Sequence, residues 1–128
     1  MEICVSASSD SLDANVDPRF GRCPYFVIID SETMEFSGIS NDSNNAAHGA
    51  GIQAAQTVVN MGAKVVISGN IGPNAFNVLS AAGIKLVTGV SGSIRDTVQK
   101  YKIGQLKETG NPTVSGHFGM GKGRGRGR

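Results

Sequence analysis

The stretch from Lys64 to Ala82, KVVISGNIGPNAFNVLSAA, constrains the fold more than any other part of the chain. Lys64-Val65-Val66-Ile67 is short, largely apolar and β-branched, the pattern of a parallel strand covered on both faces, so it is expected at the centre of a sheet. Ser68-Gly69-Asn70-Ile71-Gly72 supplies a turn, and Pro73 stands where a first helical residue loses nothing by lacking an N–H. Two glycines and a proline leave that helix N-terminus bare. Its unpaired N–H groups and the positive end of its dipole can therefore face an anion at the carboxyl end of the strand. This is the expected working edge of the fold.

The rest of the chain is read around that unit. Glu2 to Ser6 alternates, with Ile3 and Val5 on one side and Cys4 on the other, and gives way to a polar loop from Ala7 to Pro18. A connection of that length is expected to be functional or mobile. Arg19-Phe20-Gly21-Arg22-Cys23-Pro24 leads into a second strand, Tyr25 to Asp30, and a turn at Ser31-Glu32-Thr33 into a third, Met34 to Ser40. Asn41 to Asn45 is rich in N-cap residues and opens a helix expected over Ala46 to Asn60, with Ile52, Ala55 and Val59 inward and Gly62 as its stop. After the Lys64 to Ile67 strand, a helix from Pro73 to Ala82 turns Phe76 and Leu79 inward and exits at Gly83. Ile84 to Val87 is a fifth strand. Ser91-Gly92-Ser93 caps a last helix with Ile94, Val98 and Tyr101 on one face and Gly104 at its end, and Gln105-Leu106-Lys107 is a short terminal piece. The order βββαβαβα predicts a three-layer α/β domain with a mixed five-stranded sheet, right-handed crossovers, and the first strand beside the fourth. This is the topology of ribonuclease-H-like domains, a likeness that carries no activity with it.

Charge divides unevenly along the chain. Residues 113–128 carry Lys122, Arg124, Arg126 and Arg128 without an acid, which leaves eight basic and ten acidic side chains in residues 1–112. Residues 1–110 are therefore expected to form a single α/β domain. Residues 111–128, rich in Gly and Arg, cannot bury enough surface to offset their chain entropy, and a disordered, solvated tail is expected there rather than a nucleic-acid-binding one. With no Trp and seven aromatic residues, the core must be aliphatic. No apolar run approaches the roughly 20 residues that span a bilayer, and the first strand begins at once, so no membrane association and a cytoplasmic location are expected. Cys4 and Cys23 do not form a CxxC pair and are expected to be free thiols.

Three segments should meet at the edge described above: the Arg19 to Cys23 loop, the Asn44 to Gly51 stretch and the Ser68 to Asn74 turn. Between them they offer Arg19, Arg22, Cys23, His48 and Asn70, with backbone N–H groups made accessible by Gly21, Gly49, Gly51, Gly69 and Gly72. Thiolate and imidazole ligate soft metals, and guanidinium and N–H groups hold charge, so the set suits a bulky anion with metal or sulfur at its surface. Each residue also has a structural reading. Cys4 is expected to be an inert core thiol. Cys23 is either a packed loop residue or a ligand whose thiolate the two arginines favour. Arg19 and Arg22 either hold an anion or bridge Asp13, Asp17 or Asp30, and the glycines either expose backbone or shape turns.

Four stretches also resemble a known family, the dinitrogenase iron-molybdenum cofactor biosynthesis proteins. They are Arg19-Phe20-Gly21-Arg22-Cys23-Pro24-Tyr25-Phe26, Ala47-His48-Gly49-Ala50-Gly51, Gly69-Asn70-Ile71-Gly72-Pro73-Asn74-Ala75 and Gly83-Ile84-Lys85, within residues 2–106. The resemblance implies a ribonuclease-H-like fold and a non-enzymatic accessory protein, of the kind serving nitrogen fixation. Such a protein binds or carries an anionic iron-sulfur-type cluster or an iron-molybdenum cofactor precursor. Its partners would be metallocluster donor or acceptor proteins. With the residue reading above, this gives an expected site made of Arg19, Gly21, Arg22, Cys23, His48, Gly49, Gly51, Asn70 and Gly72, with His48, which lies in a matching motif, and Cys23 as metal ligands. Two cysteines cannot supply the four thiolates of an ordinary cluster, so the cargo would arrive preassembled and be held by few bonds. The alternatives are a nucleic-acid or protein adaptor acting through the basic tail, and a ribonuclease-H-like phosphoryl-transfer enzyme. The latter needs converging carboxylates, where the first strand offers Cys4 and Ser6.

Overall fold

A computed structural model describes residues 1–44, 46 and 48–113; the expectation of a disordered segment falls, from residue 114 onward, outside the described residues. The elements run β1 (Glu2–Ala7), β2 (Tyr25–Asp30), β3 (Phe36–Ser40), α1 (Ala50–Asn60), β4 (Val65–Ile67), α2 (Pro73–Ala81), β5 (Lys85–Val87) and α3 (Ile94–Lys102), the expected βββαβαβα order. They form one mixed five-stranded sheet in the order β3-β2-β1-β4-β5. β1 pairs antiparallel with β2, Cys4 opposite Ile28, and parallel with β4, Cys4 opposite Val66, while β5 runs parallel to β4. The first strand thus lies beside the fourth, as expected, but the central position belongs to β1 rather than to the Val65–Ile67 strand. β4 is wholly buried all the same, because β5 shields its other edge and helices cover both faces.

Alternation along β1 divides the core in two. Ile3, Val5 and Ala7 join Val27, Ile29, Ile94 and Val98 under α3, whereas Cys4 joins Phe26, Val58, Val66 and Leu79 under α1 and α2. The polar loop after β1 belongs to the first of these layers. Leu12 and Val16 are buried in it, and the carbonyls of Ala14 and Leu12 accept from the N–H groups of Ile94 and Arg95, both at 2.9 Å. That loop, expected to be functional or mobile, is a packed cover for the start of α3. Its alternating Leu12, Ala14 and Val16 are the apolar signal beneath the polar composition.

Three further expectations are corrected. β3 begins at Phe36, not Met34, because Met34 adopts φ = 64° and closes the turn by donating its N–H to Asp30 O at 2.7 Å. α1 begins at Ala50, not Ala46, because its N-cap is Gly49 in the left-handed region at φ = 74°, a conformation that costs glycine little. The turn before it is held open by Arg22, whose Nη1 donates to Asn44 O at 3.0 Å and Ala46 O at 2.6 Å. With the helix rotated accordingly, Ala54, Ala55 and Val58 face the sheet, and Ile52 is 36% exposed instead of inward. Beyond α3 the chain follows β5, where Thr109 N–H donates to Leu86 O and Thr109 Oγ1 accepts from Thr88 N–H at 3.0 Å. It then reaches the β4–α2 turn, where Thr113 N–H donates to Ile71 O at 3.0 Å and Ile71 N–H donates to Thr113 Oγ1 at 2.9 Å.

Two predictions follow from these burials. Leu79→Ala, which empties a fully buried site, should cost about 2–5 kcal/mol in denaturant unfolding, while Ile52→Ala should change stability by less than about 0.5 kcal/mol. Cys4 and Cys23 are both free and both 0% exposed, and burial pushes the Cys4 thiol well up and the Cys23 thiol up to about 12 from an ordinary 9.0. Below pH 9.0 folded and unfolded chains both keep these protons; between there and about 12 only the unfolded chain releases the Cys23 proton. Stability should therefore fall as pH rises above 9.0, by up to about 1.4 kcal/mol per pH unit for each thiol. Unfolding midpoints measured across that range check this, and Cys23→Ala should reduce the slope.

Candidate functional site

The segment Pro18–Cys23 is stitched to the β4–α2 turn. Phe20 N–H donates to Asn70 O at 3.3 Å, and Asn70 Nδ2 donates to Pro18 O at 3.3 Å. On its other side the segment meets the first turn of α1 backbone to backbone: a Cβ on Gly21 would lie 2.8 Å from Gly51 Cα, closer than real Cβ atoms approach. Gly21 and Gly51 together thus bring the loop onto the helix end. α2 begins alongside, with Gly51 facing Ala75, so the starts of both helices border the same loop.

These three pieces enclose a cleft of about 410 Å³, lined by Pro18–Arg22, Gly49–Ile52, Asn70 and Gly72–Ala75. Both helices open onto it with no side-chain cap from the described residues and no acidic residue in the first turn. In α1 the first N–H with a helical acceptor is that of Gln53, which donates to Gly49 O at 2.9 Å; those of Ala50, Gly51 and Ile52 have none within the helix. In α2 the first is that of Phe76, which donates to Gly72 O at 2.9 Å; Asn74 and Ala75 are left free of the ladder and Pro73 has no N–H to leave. α3 is built differently, since Ser93 Oγ accepts from Asp96 N–H at 3.1 Å and the β1–β2 loop takes the two N–H groups before it. The cleft therefore collects two positive helix ends and, among the described residues, no acidic lining residue.

The two arginines play unequal parts. Arg19 forms a two-point pair with Asp17, Nε to Oδ1 at 3.2 Å and Nη2 to Oδ2 at 3.1 Å, and this hydrogen bond and charge raise the guanidinium above its already high ordinary value. Its charge is partly offset, although the side chain is 61% exposed. Arg22 is exposed, donates only to backbone carbonyls, and makes no ion pair among the described residues. Its positive charge is thus not cancelled. The bridge expected as an alternative for the arginines exists for Arg19 with Asp17, while Asp13 is paired with Arg95 at 3.2 Å.

Of the residues singled out in the sequence, Arg19, Gly21, Arg22, Gly49, Gly51, Asn70 and Gly72 line the cleft. His48 and Cys23 do not. His48 is exposed, one residue before the Gly49 rim. Cys23 lies buried behind the loop, its Sγ 3.2 Å from Phe20 O and 3.8 Å from the Asn41 amide nitrogen. The arginines were expected to favour its thiolate; burial overrides them, and in this conformation the thiol is protonated and out of reach of a ligand. Among the described residues, no group of three His, Cys, Asp or Glu side chains is placed to hold a metal ion. Pro18, Phe20, Ala50, Ile52 and Pro73 also line it, as do Asn74 and Ala75. The signal for the last two was Pro73, which marks its two successors as carriers of unbonded N–H groups.

Comparison with known proteins agrees with the fold. The chain is 41% identical to the orange protein of Desulfovibrio gigas, solved in an apo form, with a TM-score of 0.85 over 88% of this chain and 95% of that one. It is 31% identical to a putative NifB protein from Thermotoga, TM-score 0.73, covering 84% and 91% of the two chains. An uncharacterized protein of Methanocaldococcus jannaschii, MJ0580, is 33% identical over 96 residues, 73% of this chain and 81% of its own. No helix among the described residues is long and apolar enough to cross a membrane. The family model for dinitrogenase iron-molybdenum cofactor matches residues 1–104. The chain belongs to that family, and so to the non-enzymatic accessory proteins associated with metallocluster biosynthesis.

Proposed function

We propose that the chain binds and carries an anionic iron-sulfur-type cluster, or an iron-molybdenum cofactor precursor, passing between metallocluster donor and acceptor proteins. The observation that carries this reading is the convergence of two helix N-termini, with no side-chain cap and no acidic lining residue among the described residues, on one cleft that also holds Arg19 and Arg22. N–H groups and guanidinium are donors suited to the sulfides and charge of such a cargo. Ligation is sparse by comparison. The exposed imidazole of His48 can supply one bond from the rim, and the Cys23 thiol would have to leave its buried position to supply another. A cargo held mainly by hydrogen bonds and charge is released readily, which suits a carrier. The fold shared with the apo form of the orange protein further supports a cradle formed before its cargo arrives.

Anaerobic incubation with iron and sulfide, or with a preformed cluster, should give visible absorption that co-migrates with the protein and is weakened by His48→Ala. Asn74→Asp is the sharper test. It adds one negative charge to an exposed position in the first turn of α2, which favours the helix by about 0.3–1 kcal/mol but opposes an anion in the cleft by about tenfold in affinity. A variant with an equal or higher melting temperature and weaker uptake is the expected result; absence of uptake by the unaltered chain under several conditions would sink the proposal.

A further inference from the structure

β3 ends the sheet on the side away from β5, and its pairing with β2 fixes which of its backbone groups face outward. Asp30 N–H donates to Glu35 O and Asn41 N–H to Pro24 O, both at 2.9 Å. Hydrogen-bonded pairs alternate along an antiparallel ladder, here one that sets Ser40 opposite Tyr25 and Phe36 opposite Ile29. Ser37 and Ile39 therefore bond to β2. The N–H and C=O groups of Phe36, Gly38 and Ser40 point away from the sheet, with no backbone partner among the described residues. Borders of this kind are normally blunted by Lys, Pro or a bulge. β3 has no Lys and no Pro, and it pairs with β2 without interruption.

The charge beside that row has one sign. Residues 23–63 contain no Lys or Arg, whereas Asp30, Glu32, Glu35 and Asp42 flank β3. Asp10 joins them from the β1–β2 loop, packed so close that a Cβ on Gly38 would collide with its Cβ. Asp10, Glu32, Glu35 and Asp42 are exposed and form no ion pair among the described residues. A depression of about 250 Å³ is lined by Ile28, Phe36 and Ser37 and by Glu2, Asp30 and Glu35. It fits the aliphatic stem of a Lys or Arg side chain whose charged head meets the carboxylates. We propose that a partner protein docks at β3, adding an extended segment rich in Lys or Arg as a sixth strand of the sheet. Backbone hydrogen bonds to Phe36, Gly38 and Ser40 hold the segment, and the acids select its side chains. A second copy of this chain brings the same acids to the border with no cation to meet them, and is the weaker occupant. Asn41, next after β3, donates from Nδ2 to Gly21 O at 3.1 Å, so the docked segment runs toward the wall of the cleft. The partner surface stands whether or not the cleft takes a metallocluster.

The test titrates the full chain with a capped synthetic peptide of alternating Val and Lys, followed by amide NMR shifts. Phe36, Gly38 and Ser40 should shift with an apparent Kd on the order of 1 mM at low salt, while Gly51 and Ala75 in the cleft stay in place. The same peptide with Glu for Lys, and a Lys peptide with Pro at its centre, should each bind about tenfold more weakly or not at all. The full-length variant Glu35→Lys with Asp42→Lys, both at exposed positions, should keep its fold and lose about tenfold in affinity for the Lys peptide. Equal binding of the Pro peptide would overturn strand addition, and equal binding of the Glu peptide would overturn the charge selection. Absence of shifts at Phe36, Gly38 and Ser40 would overturn the proposal. So would shifts there that depend on protein concentration alone, which mark a second copy as the occupant. Shifts there produced before any peptide is added, by Lys122→Gln, Arg124→Gln, Arg126→Gln and Arg128→Gln together, would likewise assign the border to this chain's own basic residues. None of these outcomes touches cluster uptake, which is read separately.

Discussion

The site depends on one close approach of backbone to backbone. Gly21 and Gly51 touch with no side chain between them, and that contact turns the start of α1 toward the loop that carries Arg19 and Arg22. A methyl group on Gly21 would push the two apart, costing about 1–3 kcal/mol in displaced backbone and separating the helix end from the loop. The Asn70 bonds to Phe20 and Pro18 do the same on the other flank. Asn70 therefore uses its amide to assemble the wall of the cleft, and what the wall then presents is mostly main chain.

The three helix N-termini show where the fold leaves its polar groups unsatisfied. Buried backbone donors are normally paired, and α3 obeys that rule through Ser93 and the β1–β2 loop. α1 and α2 begin at glycines that offer no capping oxygen, and both face the same depression. Unpaired donors in water are inexpensive, so the arrangement costs the folded chain little until something fills the cleft. The donors lie on the first turns of helices anchored by Val58 and Leu79, and they need little rearrangement to meet an anion.

What the sequence made legible were the features set by local chemistry. Pro73 after a glycine-bearing turn marked the bare start of α2, the β-branched run before it marked an interior strand, and Gly62 and Gly83 marked helix ends. What escaped depended on partners distant in the chain. Ala46 and its neighbours favour a helix, but Arg22 captures the carbonyls there and Gly49 reverses the backbone, so α1 starts later and Ile52 turns outward. Cys23 sits between residues that promise a reactive thiol, yet Phe20 and Asn41 close over it. Most of the candidate residues do meet at one cleft, because they lie on turns at the same end of the sheet; His48 and Cys23 fall at its rim and behind its wall because a single residue's displacement along a loop decides which way a side chain faces.

The passage of the chain along β5 has a consequence for how copies of the molecule can meet. Thr109 takes up the outward carbonyl of Leu86 and the N–H of Thr88, so that border of the sheet offers little template for another strand. β3, at the opposite border, has no such cover among the described residues, and Phe36 on it is 46% exposed. Among the described residues the two borders thus differ, and strand-to-strand union of two copies would be directed to β3, which joins two molecules face to face rather than adding them in series.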